Sequence, residues 1–144
     1  MKKENIFISV IGMGYVGLPL ANELSKYFNV TGYDTNIKKI KNLKRSIDSN
    51  KELKKINKRL FFTSKINHIK KCNVYILCLP TPVNSQKKPD LKLIKVALKS
   101  LNSIYNYGDT IILESTYYPG ATMELIKTCF KKKSEDLNIG YSPE

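Results

Sequence analysis

The sequence predicts an α/β domain: one parallel, six-stranded, doubly wound sheet with helices on both faces. Three observations carry this expectation. An apolar run, Ile6 to Ile11, leads directly into Gly12-Met13-Gly14-Tyr15-Val16-Gly17, and an amphipathic helix pattern follows. Five further short apolar runs alternate with segments long enough to be helices. The Gly-, Pro- and carboxylate-bearing residues gather where those runs end, which in such a sheet is a single edge.

In the first turn Gly12 is expected to bend the chain out of a strand. Gly14 leaves a pyrophosphate room beside the backbone, and Gly17 lets the next helix pack closely on the sheet. That helix would aim its free N–H groups and positive dipole end at phosphates. G-x-G-x-x-G alone recurs by chance in many chains; the strand before it and the helix after it give it meaning here. Asp34 adds to this. It ends the run Val30-Thr31-Gly32-Tyr33, 17 residues past Gly17. A carboxylate there accepts hydrogen bonds from the adenosine ribose hydroxyls and repels a 2′-phosphate, which points to NAD rather than NADP.

The first helix is expected from about Tyr15 to Tyr27, with Val16, Leu20, Leu24 and Phe28 recurring every four residues, and Gly17 and Ala21 alongside, on the sheet-facing side. Pro19 falls near the first turn, where a missing N–H does little harm. A second strand covers about Asn29 to Tyr33. The next helix starts near Asn36, with Ile37, Ile40, Leu43 and Ile47 inward and Lys38, Lys39, Lys41, Lys44 and Arg45 outward. Most of those cations read as a solvated face, but Lys38 and Lys39 lie close enough to Asp34 for one to reach a cofactor. Lys39 is taken as the candidate.

Residues 48–59 are polar and basic, a short surface helix or ordered loop, and Leu60 to Thr63 is a short third strand. Residues 64–71 fit one or two helical turns, with His68 on the surface. Val74 to Leu79 is continuously apolar, as a strand buried on both faces should be. It stops at Pro80-Thr81-Pro82. After a polar loop, Asp90 is placed to cap a helix that faces inward with Leu91, Ile94, Leu98, Leu101 and Tyr105. Thr110 to Leu113 is the fifth strand and delivers Glu114-Ser115-Thr116. A helix from about Ala121 buries Leu125, Ile126, Cys129 and Phe130, and a sixth strand from Leu137 to Tyr141 runs into Ser142-Pro143-Glu144. Right-handed crossovers then give strand order 3-2-1-4-5-6, a whole Rossmann domain.

At 144 residues the chain is expected to form one domain. The charged N-terminus precedes an apolar run too short for a signal peptide or a membrane span. Cys72, Cys78 and Cys129 have no paired spacing and His68 is the sole histidine, so no metal site or disulfide framework is expected, and a cytoplasmic setting follows. The net charge of +13, from 25 basic against 12 acidic residues, raises nucleic acid or a membrane surface as partners. Lysines spread over every expected helix and aromatics placed inside apolar runs argue against both.

The strand-end segments Gly12 to Ala21, Leu79-Pro80-Thr81-Pro82, Pro89-Asp90-Leu91, Glu114 to Gly120 and Tyr141-Ser142-Pro143-Glu144 together resemble the NAD-binding domain of the UDP-glucose/GDP-mannose dehydrogenases. The Glu-Ser-Thr-x-x-Pro-Gly and Tyr-Ser-Pro-Glu forms are similar to the UDP-N-acetylhexosamine 6-dehydrogenases of bacterial surface polysaccharide synthesis, capsule and O-antigen included. The resemblance covers the whole chain. It implies oxidation of a sugar C6 hydroxymethyl to a carboxylate by two NAD⁺ in succession, through a cysteine-bound thioester. It also implies that Gly12, Met13, Gly14, Tyr15, Val16 and Gly17 hold the pyrophosphate and Asp34 the ribose. Pro80, Thr81 and Pro82 would border the adenosine side. Ser115 and Thr116 would lie beside the nicotinamide, Thr116 positioning water or the reacting group, and Glu144 would handle water in thioester hydrolysis.

The family's cysteine nucleophile, with its lysine and aspartate partners, belongs to later segments, as do the sugar-nucleotide domain and the helix used for dimerisation. None of Cys72, Cys78 and Cys129 corresponds to the nucleophile, and each reads as a small apolar residue. The expectation is therefore a cofactor-binding half that needs those segments for UDP-sugar turnover. Alternatives are a non-catalytic NAD-binding subunit or remnant, UDP-glucose as the parent substrate, a hydroxyacid dehydrogenase, and a polyanion-binding basic protein. Ser46 is a small departure, since glycine is common at that place after the second helix.

Overall fold

In the computed structural model the described residues are 5–48, 51, 53, 55–82, 89–114, 120–130, 135 and 137–142. Six strands form one sheet: β1 (Phe7–Ile11), β2 (Asn29–Tyr33), β3 (Phe61–Thr63), β4 (Val74–Leu77), β5 (Thr110–Leu113) and β6 (Asn138–Tyr141). Their order is β3-β2-β1-β4-β5-β6 and every pairing is parallel. The expected topology is the observed one. Four helices connect them, α1 (Gly17–Leu24), α2 (Ile37–Lys44), α3 (Lys92–Asn102) and α4 (Ala121–Phe130), with a 3-10 turn at Ile66–Ile69.

Side chains alternating along β4 show how the sheet is covered. Tyr75 and Leu77 enter a core with Ile94, Leu98 and Leu101 of α3 and Leu125, Ile126 and Phe130 of α4. Ile76 enters the opposite core with Leu18 and Ala21 of α1, Ile40 and Leu43 of α2, Val10 and Phe62. Two-sided burial explains why β4 reads as an unbroken apolar run. In the first core Tyr105 meets Phe130 edge-on, with centroids 5.2 Å apart.

Several boundaries differ from expectation. Helix α1 is shorter at both ends, and its buried residues are Gly17, Leu18 and Ala21. Leu20, Leu24 and Phe28 only flank that core, while Val16 is exposed. Gly17 and Ala21, expected on this face, bring the helix backbone close to the sheet, and Leu18 fills the core beside them. Ile37 and Ile47, expected inward, are exposed. Ile37 is the first residue of α2, at the sheet's edge, and Ile47 lies past the helix end. Strand β4 ends at Leu77, because β1 turns away at Gly12 and leaves Cys78 N–H to make one last bond to Ile11 O. Asp90 does serve the start of α3, its Oδ1 accepting from Lys92 N–H at 2.9 Å. Of the helix or ordered loop expected over 48–59, residues 55–59 take the loop, ending in a turn, and Asn22 Oδ1 on α1 pins Asn57 N–H at 2.7 Å.

The end of α2 explains the Ser46 departure. Ile47 N–H donates to Asn42 O and Ser46 N–H to Leu43 O, the paired bonds of a Schellman cap. Ser46 takes the left-handed conformation this cap requires, with φ of 60°. A Cβ there is strained, so Ser46→Gly is expected to stabilise the fold by about 0.5–1 kcal/mol and raise Tm by about 2 °C. Thermal denaturation of the two proteins checks it.

Asp109 is buried before β5, with Oδ2 accepting from Asn106 N–H at 2.7 Å. Burial raises its carboxyl pKa above the ordinary value. The folded chain therefore holds this proton more tightly than the unfolded chain, and stability falls as pH rises through the ordinary and then the raised value. Asp109→Asn keeps the acceptor without the charge. Its Tm advantage over the parent should grow as pH rises above about 4, and a gap independent of pH would contradict this.

The three cysteines are buried and none is in a disulfide. Burial pushes the Cys72 thiol up to about 11 and raises Cys129 as well, which suppresses the thiolate. They behave as small apolar residues. His68 is exposed, with Nδ1 3.0 Å from Thr63 Oγ1. Among the described residues no helix is long and apolar enough to cross a membrane, and no cluster of His, Cys, Asp and Glu could hold a metal.

Candidate functional site

The carboxyl ends of β1, β2 and β4 meet at the Gly12 turn. Gly12 has φ of 97°, and a Cβ on it would lie 2.4 Å from Cys78 O. A Cβ on Gly17 would lie 1.9 Å from Gly12 O and 3.0 Å from Cys78 Cβ. Both positions admit only glycine. Gly14 is different: among the described residues, its chain neighbours aside, no atom lies within 4 Å of where its Cβ would be. The space over Gly14 is open, while its two companions are closed off by the protein itself.

The N–H groups of Gly14, Tyr15, Val16 and Gly17 donate to no acceptor among the described residues, and the α1 N-cap, Val16, offers no side-chain bond. Tyr15 and Val16 are exposed beside them. Unsatisfied donors at the start of a helix, next to open backbone, suit the oxygens of an anion. Met13 points the other way. Its side chain is fully buried in the core under Gly32, while its N–H donates to Asp34 Oδ2 at 3.0 Å.

Asp34 is held at the end of β2 by several groups. Its N–H donates to Thr63 O at 3.2 Å, its Oδ1 accepts from Asn36 N–H at 2.8 Å, and Lys39 Nζ lies 3.1 Å from Oδ2. Asn36 in turn caps α2 through Lys39 N–H. With Met13 N–H also on Oδ2, the carboxylate is fixed in place and keeps one acceptor position, on Oδ1, open to a hydroxyl. Lys38 is exposed.

Beside Asp34 a hollow of about 140 Å³ is lined by Ile11, Gly12, Tyr33, Asp34, Thr35 and Leu79, and across from them by Leu93, Val96, Ala97 and Ser100 of α3. Apolar walls with a carboxylate at the rim suit a flat base joined to a polyhydroxyl sugar. The α3 wall was missed in the sequence. Its signal was there: residues 93, 96, 97 and 100 form a second stripe at i, i+3, i+4 and i+7 beside the core stripe of Ile94, Leu98 and Leu101.

Pro80 and Pro82 are exposed, and Thr81 is half-buried. They follow Leu79 at the far side of the hollow, and Pro82 O accepts from Asp90 N–H at 2.7 Å. Further along the same edge Ser142 Oγ donates to Glu114 Oε1 at 3.0 Å, joining the segments that leave β5 and β6. Ser115, Thr116 and Glu144 lie outside the described residues. The structure thus gathers Gly12 to Gly17, Asp34, Lys39 and 80–82 along one edge.

Residues 6–144 match the model of the UDP-glucose/GDP-mannose dehydrogenase family, NAD binding domain. The chain is 42% identical over 150 residues to UDP-N-acetyl-D-glucosamine 6-dehydrogenase of Salmonella typhi, covering 98% of this chain and 35% of that protein. The same enzyme of Pseudomonas aeruginosa is 41% identical, with 98% and 36% covered. Among solved structures, UDP-D-ManNAc dehydrogenase from Pyrococcus horikoshii superposes with a TM-score of 0.86 at 27% identity, over 96% of this chain and 36% of that one. The chain spans about a third of the length of these relatives. It belongs to the UDP-glucose/GDP-mannose dehydrogenase family and is that family's NAD-binding domain.

Proposed function

We propose that this chain is the cofactor half of a cytoplasmic UDP-sugar 6-dehydrogenase acting on a UDP-N-acetylhexosamine, with a role in surface polysaccharide synthesis. The single observation that carries the cofactor reading is the open space over Gly14, flanked by unsatisfied N–H groups and by Asp34. Pyrophosphate oxygens would accept from the N–H groups of Gly14 to Gly17. A ribose hydroxyl would donate to Asp34, and adenine would lie between Leu79 and the Leu93–Val96 wall, bordered by Pro80, Thr81 and Pro82. Bound NAD⁺ would accept hydride from the sugar C6 in each of two successive oxidations.

By family analogy Ser115 and Thr116 would stand at the nicotinamide end, and Thr116 and Glu144 would position and activate water. Identity of 42% and 41% to UDP-N-acetyl-D-glucosamine 6-dehydrogenases supports an N-acetylhexosamine over glucose. The cysteine, the sugar-nucleotide contacts and the dimer helix would come from sequence that the relatives hold beyond the third matched here.

Turnover is therefore expected to need those segments. The purified 144-residue chain, given NAD⁺ and UDP-N-acetylglucosamine or UDP-N-acetylmannosamine, should give no steady NADH absorbance. Steady NADH production by the chain alone would overturn the requirement. A non-catalytic subunit is the second reading, favoured by the burial of Cys72, Cys78 and Cys129 alike. Co-purification with a polypeptide bearing the nucleophile would separate the two.

A further inference from the structure

Asp34, Asn36 and Lys39 form a closed ring of interactions. Asp34 Oδ1 accepts from Asn36 N–H at 2.8 Å, and Asn36 Oδ1 accepts from Lys39 N–H at 3.0 Å. Lys39 Nζ then returns to Asp34 Oδ2 at 3.1 Å. The two charged side chains are only 30% and 13% exposed, so water screens this pair less than it does a surface ion pair. A side chain on the first turn of α2 is held over the ribose carboxylate by the cap of its own helix. That first turn carries no acid, so the positive end of α2 and the Lys39 ammonium act in the same direction on whatever anion lies there.

We propose that Lys39 is a specificity-determining residue: a phosphate-binding cation masked by Asp34, which sets how strictly the site selects NAD⁺ over NADP⁺. The inference rests on the NAD-binding reading above. With Asp34 present, the carboxylate takes up the ammonium and its own charge repels a 2′-phosphate, so NAD⁺ is preferred. Lys39 offsets part of that repulsion, and the preference is narrower than a lone aspartate would give. With the carboxylate neutralised, the ammonium and the start of α2 face the 2′ position with no competing anion. A 2′-phosphate then becomes the best partner available to them.

The test is calorimetric titration of NAD⁺ and NADP⁺ into the 144-residue chain and four variants. In Asp34→Asn the preference should invert, with NADP⁺ binding gaining about tenfold or more. In Lys39→Met, NADP⁺ should weaken by a similar factor and the NAD⁺ preference should widen. Asp34→Asn combined with Lys39→Met should lose the NADP⁺ gain, and Asp34→Asn combined with Lys39→Arg should keep it. A structural role for Lys39 alone would lower affinity for both dinucleotides equally and leave their ratio unmoved. Unchanged NADP⁺ affinity in Asp34→Asn, or a gain that survives Lys39→Met, overturns the proposal while NAD⁺ binding by the parent chain leaves the cofactor reading standing. A folded parent that binds neither dinucleotide overturns both. Asp34→Ser replaces Asp34→Asn if the latter shows no cooperative melt.

Discussion

Gly17→Ala is expected to destabilise the fold severely. The added Cβ would sit 1.9 Å from Gly12 O and 3.0 Å from Cys78 Cβ. The first obstacle is backbone, and that backbone is the turn between β1 and α1. Moving it means moving α1 off the sheet, where Leu18 and Ala21 are buried, or breaking the Gly12 N–H bond to Tyr33 O. Overpacking that cannot be relieved by a rotamer change costs roughly 3 kcal/mol or more. For a domain stable by about 5–15 kcal/mol that is a large share. Thermal denaturation should show a drop of several degrees or no cooperative transition. A melt within about 2 °C of the parent would mean that the turn is softer than its geometry implies.

Gly14→Ala should have the opposite profile. Its Cβ would meet no atom of the described residues within 4 Å, chain neighbours aside, and its φ lies outside the left-handed region, so the backbone asks nothing special of the residue. Tm should be unchanged or slightly raised, since alanine has less unfolded-state entropy to lose. The methyl would instead fill the space over which a pyrophosphate must pass. NAD⁺ affinity should fall by at least about tenfold, more than 1.4 kcal/mol. Two glycines three residues apart in one motif thus separate into a folding position and a binding position. Equal losses of stability in both variants would contradict that division.

Much of this was legible in the sequence, and for identifiable reasons. A two-sided parallel sheet needs unbroken apolar strands, so Val74 to Leu77 and Thr110 to Leu113 announced themselves. Parallel connections force all carboxyl ends to one edge, so the neighbourhood of Gly12 and Asp34 followed from order alone. Helix faces were less legible. Periodicity assigned Val16 and Ile37 inward because it takes no account of where a helix starts relative to the sheet, and it carried Ile47 inward past a helix that had already ended at Lys44. On α1 it placed Gly17 and Ala21 correctly on the contact face but passed over Leu18, which is buried there, and gave Leu20 and Leu24 more of the core than they take.

The candidate site divides in the same way. Glycine positions and the ribose acid have fixed spacing from a strand and could be read. The second apolar stripe of α3 could have been read, but not what it faces, because Leu93 and Val96 reach Asp34 only through the crossover from β4 to β5. The Lys39 side chain was near Asp34 in sequence, but its return to Oδ2 depends on the Asn36 cap. Ser115, Thr116 and Glu144 fall outside the described residues, and their roles rest on family analogy.

The measurement to make first is calorimetric titration of NAD⁺ into the folded 144-residue chain, with Asp34→Ala alongside. Saturable one-to-one binding, weakened about tenfold or more by the substitution, is the expected result. A folded chain that gives no NAD⁺ binding heat, or binds equally well without the Asp34 carboxylate, would contradict the assignment of Gly12 to Gly17 and Asp34 as a working dinucleotide site.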